Sequence, residues 1–196
     1  MPVQFSGLIQ EHKAVREHVG MFDISHMGVL RLEGPNPKDA LQQLVPSDLH
    51  RIGPGEACYT VLLNEAGGIR DDLIVYDCGA LDDDQGALVL VINAACADAD
   101  TAWIRERMEP AGLTVTDIKD GGVLLAVQGP DAMGLLEELS GDDLRSISIN
   151  AALAPLASRA ELVDRLVIVI LGLLRSVIFI RDRFRIHFVK FHLLRG

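Results

Sequence analysis

The 196-residue sequence predicts an α+β fold with a mainly antiparallel sheet and flanking helices. Three observations carry that expectation. Residues 57–63 and 69–77 are runs rich in branched and aromatic side chains, separated by Asn64-Glu65-Ala66-Gly67-Gly68, which reads as a β-hairpin with a longer loop. Residues 87–93 (ALVLVIN) form a continuous apolar run of the kind a buried strand shows. Segments with helical spacing flank these runs, and strands joined as hairpins need no crossover helix, so they pair antiparallel.

The other elements follow in order. Residues 9–19 place Ile9, His12, Val15, Arg16 and Val19 at helical spacing and stop at Gly20. A strand over 29–33 ends at Gly34-Pro35. Asn36 is placed to cap a helix over 37–45, with proline at its first position. Pro46-Ser47-Asp48 and Gly53-Pro54-Gly55 mark a loop before the hairpin. Beyond it, residues 79–86 with Asp82-Asp83-Asp84 read as a solvated turn, because the spacing and terminal glutamate of an EF-hand are missing. A helix over 98–109 runs through Ala102, Trp103, Arg107 and Met108 to Pro110. Strands over 113–117 and 123–128 follow, and Gly129-Pro130-Asp131 opens a helix carrying Leu135, Leu136 and Leu139.

Charge divides the chain. Residues 1–150 carry a net −15 and residues 151–196 a net +5. An acidic body lacks the clustered Lys and Arg that phosphate neutralisation needs, which argues against nucleic acid as a partner. Cys58, Cys78 and Cys96 are scattered and form no CxxC pair, so neither a metal site nor a disulfide framework is expected, and a cytoplasmic setting is. The stretch MPVQFSGLIQEHKAVREH has no basic region followed by an apolar one, so no signal peptide is expected from it.

From about Leu144 the character changes, and the expected organisation is a domain over 1–145 followed by a divergent basic, apolar tail over 146–196. The apolar run 166–180 is interrupted by Arg175 and short of the roughly 20 residues of a bilayer span. A membrane-surface helix, a two-strand continuation and the product of a changed reading frame all remain open for it.

The acidic pair in the hairpin is the most unusual local feature. Side chains alternate along a strand, so Asp72 shares a face with Ile74 and Tyr76, and Asp71 with Leu73 and Val75. One carboxylate should therefore face apolar surroundings, where burial raises its pKa unless a partner is close. That is how functional carboxylates are often made; two solvated caps at a strand entrance would look the same in sequence. The histidines suggest no metal site, since His12 and His18 do not share a helical face and His26 and His50 fall in or beside loops. No Ser or Cys has a recognisable activating neighbour.

MPVQFSGLIQEHKAVREHVGMFDISHMG, PGEACYTVLLNEAGGIRDDLIVY, LVLVINAACADADTAWI and LLAVQGP resemble, in that order, the amino-terminal half of the glycine cleavage system T protein family, the aminomethyltransferases. The resemblance implies a tetrahydrofolate-dependent enzyme that takes the aminomethyl group from the lipoyl arm of the H protein and gives methylenetetrahydrofolate, ammonia and reduced lipoyl. It makes Asp72 the catalytic aspartate, and Met27, Tyr59, Tyr76 and Asn93 the residues of the folate pocket. The physics is compatible: a carboxylate can orient or deprotonate a folate nitrogen, an aromatic ring can contact the pterin and an amide can donate and accept at its edge. The family's RTGYTGEDG-type segment is absent after Leu144, which implies an incomplete domain. A folate module of a sarcosine- or dimethylglycine-type demethylating system, and a non-catalytic interaction protein, are the alternatives.

Overall fold

The computed structural model describes residues 4–54, 56–79, 86–119, 122–140, 166–171, 176–181 and 185–192. The element order is α1 (Leu8–Glu17), β1 (Gly20–Asp23), β2 (Gly28–Glu33), α2 (Pro37–Leu41), β3 (Glu56–Leu63), β4 (Ile69–Asp77) and β5 (Ala87–Ile92). There follow α3 (Ala97–Met108), β6 (Thr114–Asp117), β7 (Gly122–Gln128), α4 (Ala132–Ser140), β8 (Leu166–Leu171), β9 (Ser176–Arg181) and β10 (Arg185–His192). The strands form one sheet in the order β1-β7-β8-β9-β10-β3-β4-β5-β2-β6. Two pairings, β7 with β8 and β10 with β3, are parallel; the others are antiparallel.

The hairpin forms as its sequence dictates. Asn64 Oδ1 accepts from the N–H groups of Ala66 and Gly68, both at 2.9 Å, and Gly67 adopts φ 77° to close the turn. This fixes a register that pairs Ala57 with Tyr76, Val61 with Asp72 and Leu62 with Asp71 before a shift at Leu62/Leu63. All six residues of β5 are buried, because β5 lies between β4 and β2 and both faces of the sheet are covered. Leu88, Leu90 and Ile92 join Leu73, Val75, Ile104 and Met108 on the face covered by α3. Val89 and Val91 join Val29, Ala57, Tyr76 and Leu124 on the other, where β7 folds back over the sheet.

Several elements differ from expectation for identifiable reasons. The helix expected over 37–45 stops at Leu41 because the Gln42 side chain donates to the carbonyls of Val45 and Ser47, at 3.1 and 2.8 Å, and accepts from the Leu49 N–H at 2.8 Å, tying the following loop in place. Asn36 makes no side-chain cap; it takes a left-handed conformation, φ 48°. β1, mostly exposed, is specified by its partner β7 rather than by its own pattern. The tail contributes three strands between β7 and β3, in place of a surface helix or a two-strand extension, consistent with the branched residues in LVIVIL and SVIFIR. The Asp82-Asp83-Asp84 turn lies outside the described residues. No helix among the described residues is long and apolar enough to cross a membrane.

One glycine locks the end of α1 to the start of α4. Gly129 has φ 133°, and a Cβ there would collide with the His18 carbonyl oxygen, which itself accepts from the Asp131 N–H at 3.0 Å. Gly129→Ala adds a backbone clash to a conformation that L residues avoid, and is expected to cost about 2 kcal/mol or more. Urea denaturation checks this; an unchanged midpoint would show that the junction yields freely.

Candidate functional site

Because side chains alternate along β4, Asp71 and Asp72 open onto opposite sides of the sheet. Asp72 points to the face of Tyr59, whose hydroxyl donates to Asp72 Oδ2 at 2.7 Å. The match is built by register: Tyr59 and Val61 share a face of β3, and Val61 stands opposite Asp72. Asn93 follows directly on β5, where the strand's apolar run ends. Its Nδ2 donates to Asp71 Oδ1 at 2.9 Å, to Asp72 Oδ1 at 3.0 Å and to the Asp72 carbonyl at 3.2 Å. A single amide therefore touches the carboxylates on both sides of the strand.

On the other side, Asp71 meets the first turn of α3. Asp71, Cys96 and Asp100 bring their ligand-capable atoms within 4.8 Å of one another. Asp100 is only 2% exposed, and Arg70 Nε approaches its Oδ1 at 3.6 Å. Arg70 also lies over the Trp103 ring, 4.5 Å from its centroid, while the indole N–H donates to the Leu63 carbonyl at 3.1 Å. Cys96, Asp100, Trp103 and Arg107 follow one another at helical spacing, so α3 lays a single polar stripe against the start of β4.

The electrostatics separate the two acids. Burial pushes the Asp100 carboxyl up to about 6, the neighbouring Asp71 carboxylate adds to the rise, and Arg70 opposes it. Burial also acts to raise Asp71, but the Asn93 side chain, the Asp72 backbone and the neighbouring Asp100 and Cys96 side chains outweigh it and hold the carboxyl below its ordinary value. The Asp71 charge raises the Cys96 thiol, with burial and Asp100 adding to the effect. The hydrogen bond to Asp72, then burial, raises the Tyr59 phenol. Burial is expected to raise one member of the acidic pair unless a partner is close; Asp71 has such partners and is held down, and the raised carboxyl is Asp100.

Of the residues singled out in the sequence, Asp72, Tyr59 and Asn93 are joined by direct hydrogen bonds. Tyr76 lies four residues further along the same face of β4 but is completely buried, and its hydroxyl has no hydrogen-bond partner among the described residues. Burial raises its phenol well above the usual range. Met27 is half-buried and packs against the same cluster as Tyr76. The face at Tyr59 is open, with that side chain's residue 44% exposed. Two clefts, of about 380 and 370 Å³, lie elsewhere: one by Leu44, Trp103 and Met108, the other by Lys38, His50 and Asp77. His18 and His50 pair with the exposed carboxylates of Asp131 and Asp39, at 3.2 and 3.0 Å. Sequence reading missed Arg70, Cys96 and Asp100. The helical spacing of Cys96 and Asp100 can be read from the sequence, but the β4 residues they meet, Arg70 among them, are decided by tertiary packing.

A pH dependence follows. The folded state holds a proton on Asp100 that the unfolded chain releases nearer 3.8, so this group's stabilising contribution is complete below that value and is lost as the pH rises through about 6. Asp71 works in the opposite sense, contributing above its unfolded value and losing that contribution only as the pH falls through its lowered one. Between about pH 5 and pH 7 the wild-type chain should therefore lose stability relative to Asp100→Asn, which has no proton to release. Urea midpoints of both proteins across this range check it, and parallel curves would show that Asp100 titrates as an ordinary exposed acid.

Known proteins resemble this chain in sequence and in fold. Residues 1–153 match the GCVT N-terminal domain. The chain is 85% identical over 147 residues to an aminomethyltransferase of Parasynechococcus marenigrum (strain WH8102), covering 75% of this chain and 40% of that protein. It is 67% identical over 147 residues to an aminomethyltransferase of Prochlorococcus marinus (strain MIT 9303), covering 75% of this chain and 39% of the other. The crystal structure of glycine cleavage system aminomethyltransferase T from Bartonella henselae aligns with a TM-score of 0.66 at 34% identity, over 78% of this chain and 40% of that one. The chain thus spans about two fifths of the length of the curated relatives it matches. Every hydrogen bond that ties Asp72 to Tyr59 and Asn93 falls within the matched residues, and through them the chain belongs to the glycine cleavage T protein family as a GCVT N-terminal domain.

Proposed function

We propose that residues 1–145 form the Asp72-bearing part of a tetrahydrofolate-dependent aminomethyltransferase site, working in the reducing cytosol, where Cys58, Cys78 and Cys96 remain free. Residues 146–196 are then a segment of divergent sequence, whose strands β8, β9 and β10 extend the sheet between β7 and β3. The reaction proposed is transfer of a one-carbon unit from the aminomethyl-lipoyl arm of an H protein to tetrahydrofolate, with release of ammonia. The observation that carries this reading is the hydrogen-bonded set Tyr59, Asp72 and Asn93 on an open face of the sheet.

These residues fit a flat heterocycle bearing N–H donors. Asp72 accepts from Tyr59 on one oxygen and from Asn93 on the other, which fixes the plane of the carboxylate. Each carboxylate oxygen keeps a second lone-pair site for a ligand N–H. The Tyr59 ring is exposed for contact with a π-system, and Ile74 and Val61 on the same face are half-buried apolar neighbours. When bound, tetrahydrofolate supplies the nitrogen nucleophile that accepts the one-carbon unit. Asp72 orients the N–H of such a nitrogen and takes its proton, while Tyr59 and Asn93 hold the carboxylate in line so that no reorganisation is needed at the moment of transfer.

Titration of the purified chain with tetrahydrofolate, followed by calorimetry, tests the reading. Saturable binding is expected, weakened about tenfold or more in Asp72→Ala, since hydrogen bonds to a charged group contribute about 1.5–3 kcal/mol. Tyr59→Phe, which keeps the ring and removes only the donor, should weaken binding less. Equal affinities for wild type and Asp72→Ala, or no binding by either, would overturn the proposal.

A further inference from the structure

We propose that Asp71 and Asp100 share one proton across the interface of β4 and α3, and that this carboxyl pair, acting through Asn93, positions Asp72. The link to Asp72 as a folate-facing group rests on the reading above; the shared proton does not.

The geometry requires something between the two acids. Asp71 Oδ2 and Asp100 Oδ2 are both buried, and neither has a hydrogen-bond partner among the described residues. Two such oxygens in one cluster are reconciled by a proton or by a cation, because paired buried carboxylates cannot both remain charged without one. The surroundings favour the proton. Arg70 Nε stands 3.6 Å from Asp100 Oδ1 and already supplies positive charge, which disfavours a metal ion beside it. The third candidate ligand, Cys96, is a thiol that the Asp71 charge keeps protonated. Among the described residues, the titratable and charged groups facing Asp100 are Arg70 and Asp71 on β4 and Cys96 at the start of its own helix, with Arg107 beyond, over the Trp103 ring.

The coupling route is short and runs through hydrogen bonds. With the proton on Asp100, its O–H donates to Asp71, which remains anionic and accepts Asn93 Nδ2 at 2.9 Å. The same nitrogen reaches Asp72 Oδ1 at 3.0 Å, so the amide plane is set from the α3 side and transmitted to the Tyr59 side. When Asp100 loses its proton to solvent, the pair carries an extra negative charge, and the best position of the Asn93 amide shifts toward Asp71. Asp100 and Asp71 are thus positioning residues, on the opposite face from any ligand held by Asp72.

The test uses the full chain labelled with 13C at aspartate carboxyls and 15N at asparagine side chains. The Asp100 carboxyl should titrate with a midpoint near 6, and the Asn93 Nδ2 protons should follow the same midpoint. In Asp100→Asn, whose amide can still donate to Asp71, the Asn93 signals should stop moving with pH and tetrahydrofolate affinity should be rescued to within about twofold of wild type. In Asp100→Ala, where Asp71 is left without that donor, affinity should fall about tenfold. Should Asp100→Ala not fold, the comparison of wild type with Asp100→Asn carries the test alone. An Asp100 midpoint in the ordinary carboxylate range, Asn93 signals indifferent to it, or signals that move on adding EDTA would each overturn the proposal, the last by revealing a bound cation. Absence of tetrahydrofolate binding with a joint Asp100–Asn93 midpoint would sink the folate reading and leave the shared proton standing.

Discussion

β5 is enclosed on both faces, and this constraint decides where polar chemistry can stand in the fold. A strand buried on two sides accepts only apolar side chains along its length, as ALVLVI does, so polar groups are displaced to its ends. Asn93 stands at one such end, and the antiparallel register of β5 with β4, ending with Leu73 opposite Ile92, brings it beside the first residues of β4. The acidic pair and the amide meet because the hydrophobic interior stops there. What reads as a special constellation is the boundary of a core.

At that boundary the alternation of the strand does the rest. Adjacent residues of β4 face opposite sides, so two neighbouring acids enter unlike surroundings: one against the polar stripe of α3, the other beside an exposed aromatic hydroxyl. The same side-chain chemistry is thereby given two roles without any change in composition. Tertiary packing sets the asymmetry, since Arg70 and Asp100 come from elements 30 residues apart in the chain and are held together by Trp103 stacking and by the helix start.

Much of this was legible in the sequence, and the limits are instructive. The hairpin was readable because Asn64 and the paired glycines specify its turn locally, and β5 because a continuous apolar run of that length has few other uses. Asp72, Tyr59 and Asn93 could be named from the resemblance to the T protein family, and the structure joins them. Tyr76 was less accessible: its parity on β4 is clear, but it is β7, contributing Leu124 from far along the chain, that covers it. The end of α2 was misjudged because the Gln42 amide finds loop carbonyls whose positions no local pattern encodes. Asp100 was invisible for the same reason. A lone acid near a helix start has many uses, and only the strand beneath it selects one.

Asn93 also gives the site a chemical age. Asparagine side chains hydrolyse slowly to carboxylic acids with loss of ammonia, and at this position the change would replace the one donor by an acceptor between Asp71 and Asp72. Three carboxylates would then meet where one nitrogen now reaches three oxygens. The Asn93 carbonyl accepts from the Cys96 N–H at 3.1 Å and the side-chain amide is held by its partners, which keeps both ends of the residue from the flexible excursions that such hydrolysis needs. The hydrogen bonds that shape the site therefore also act as its preservative.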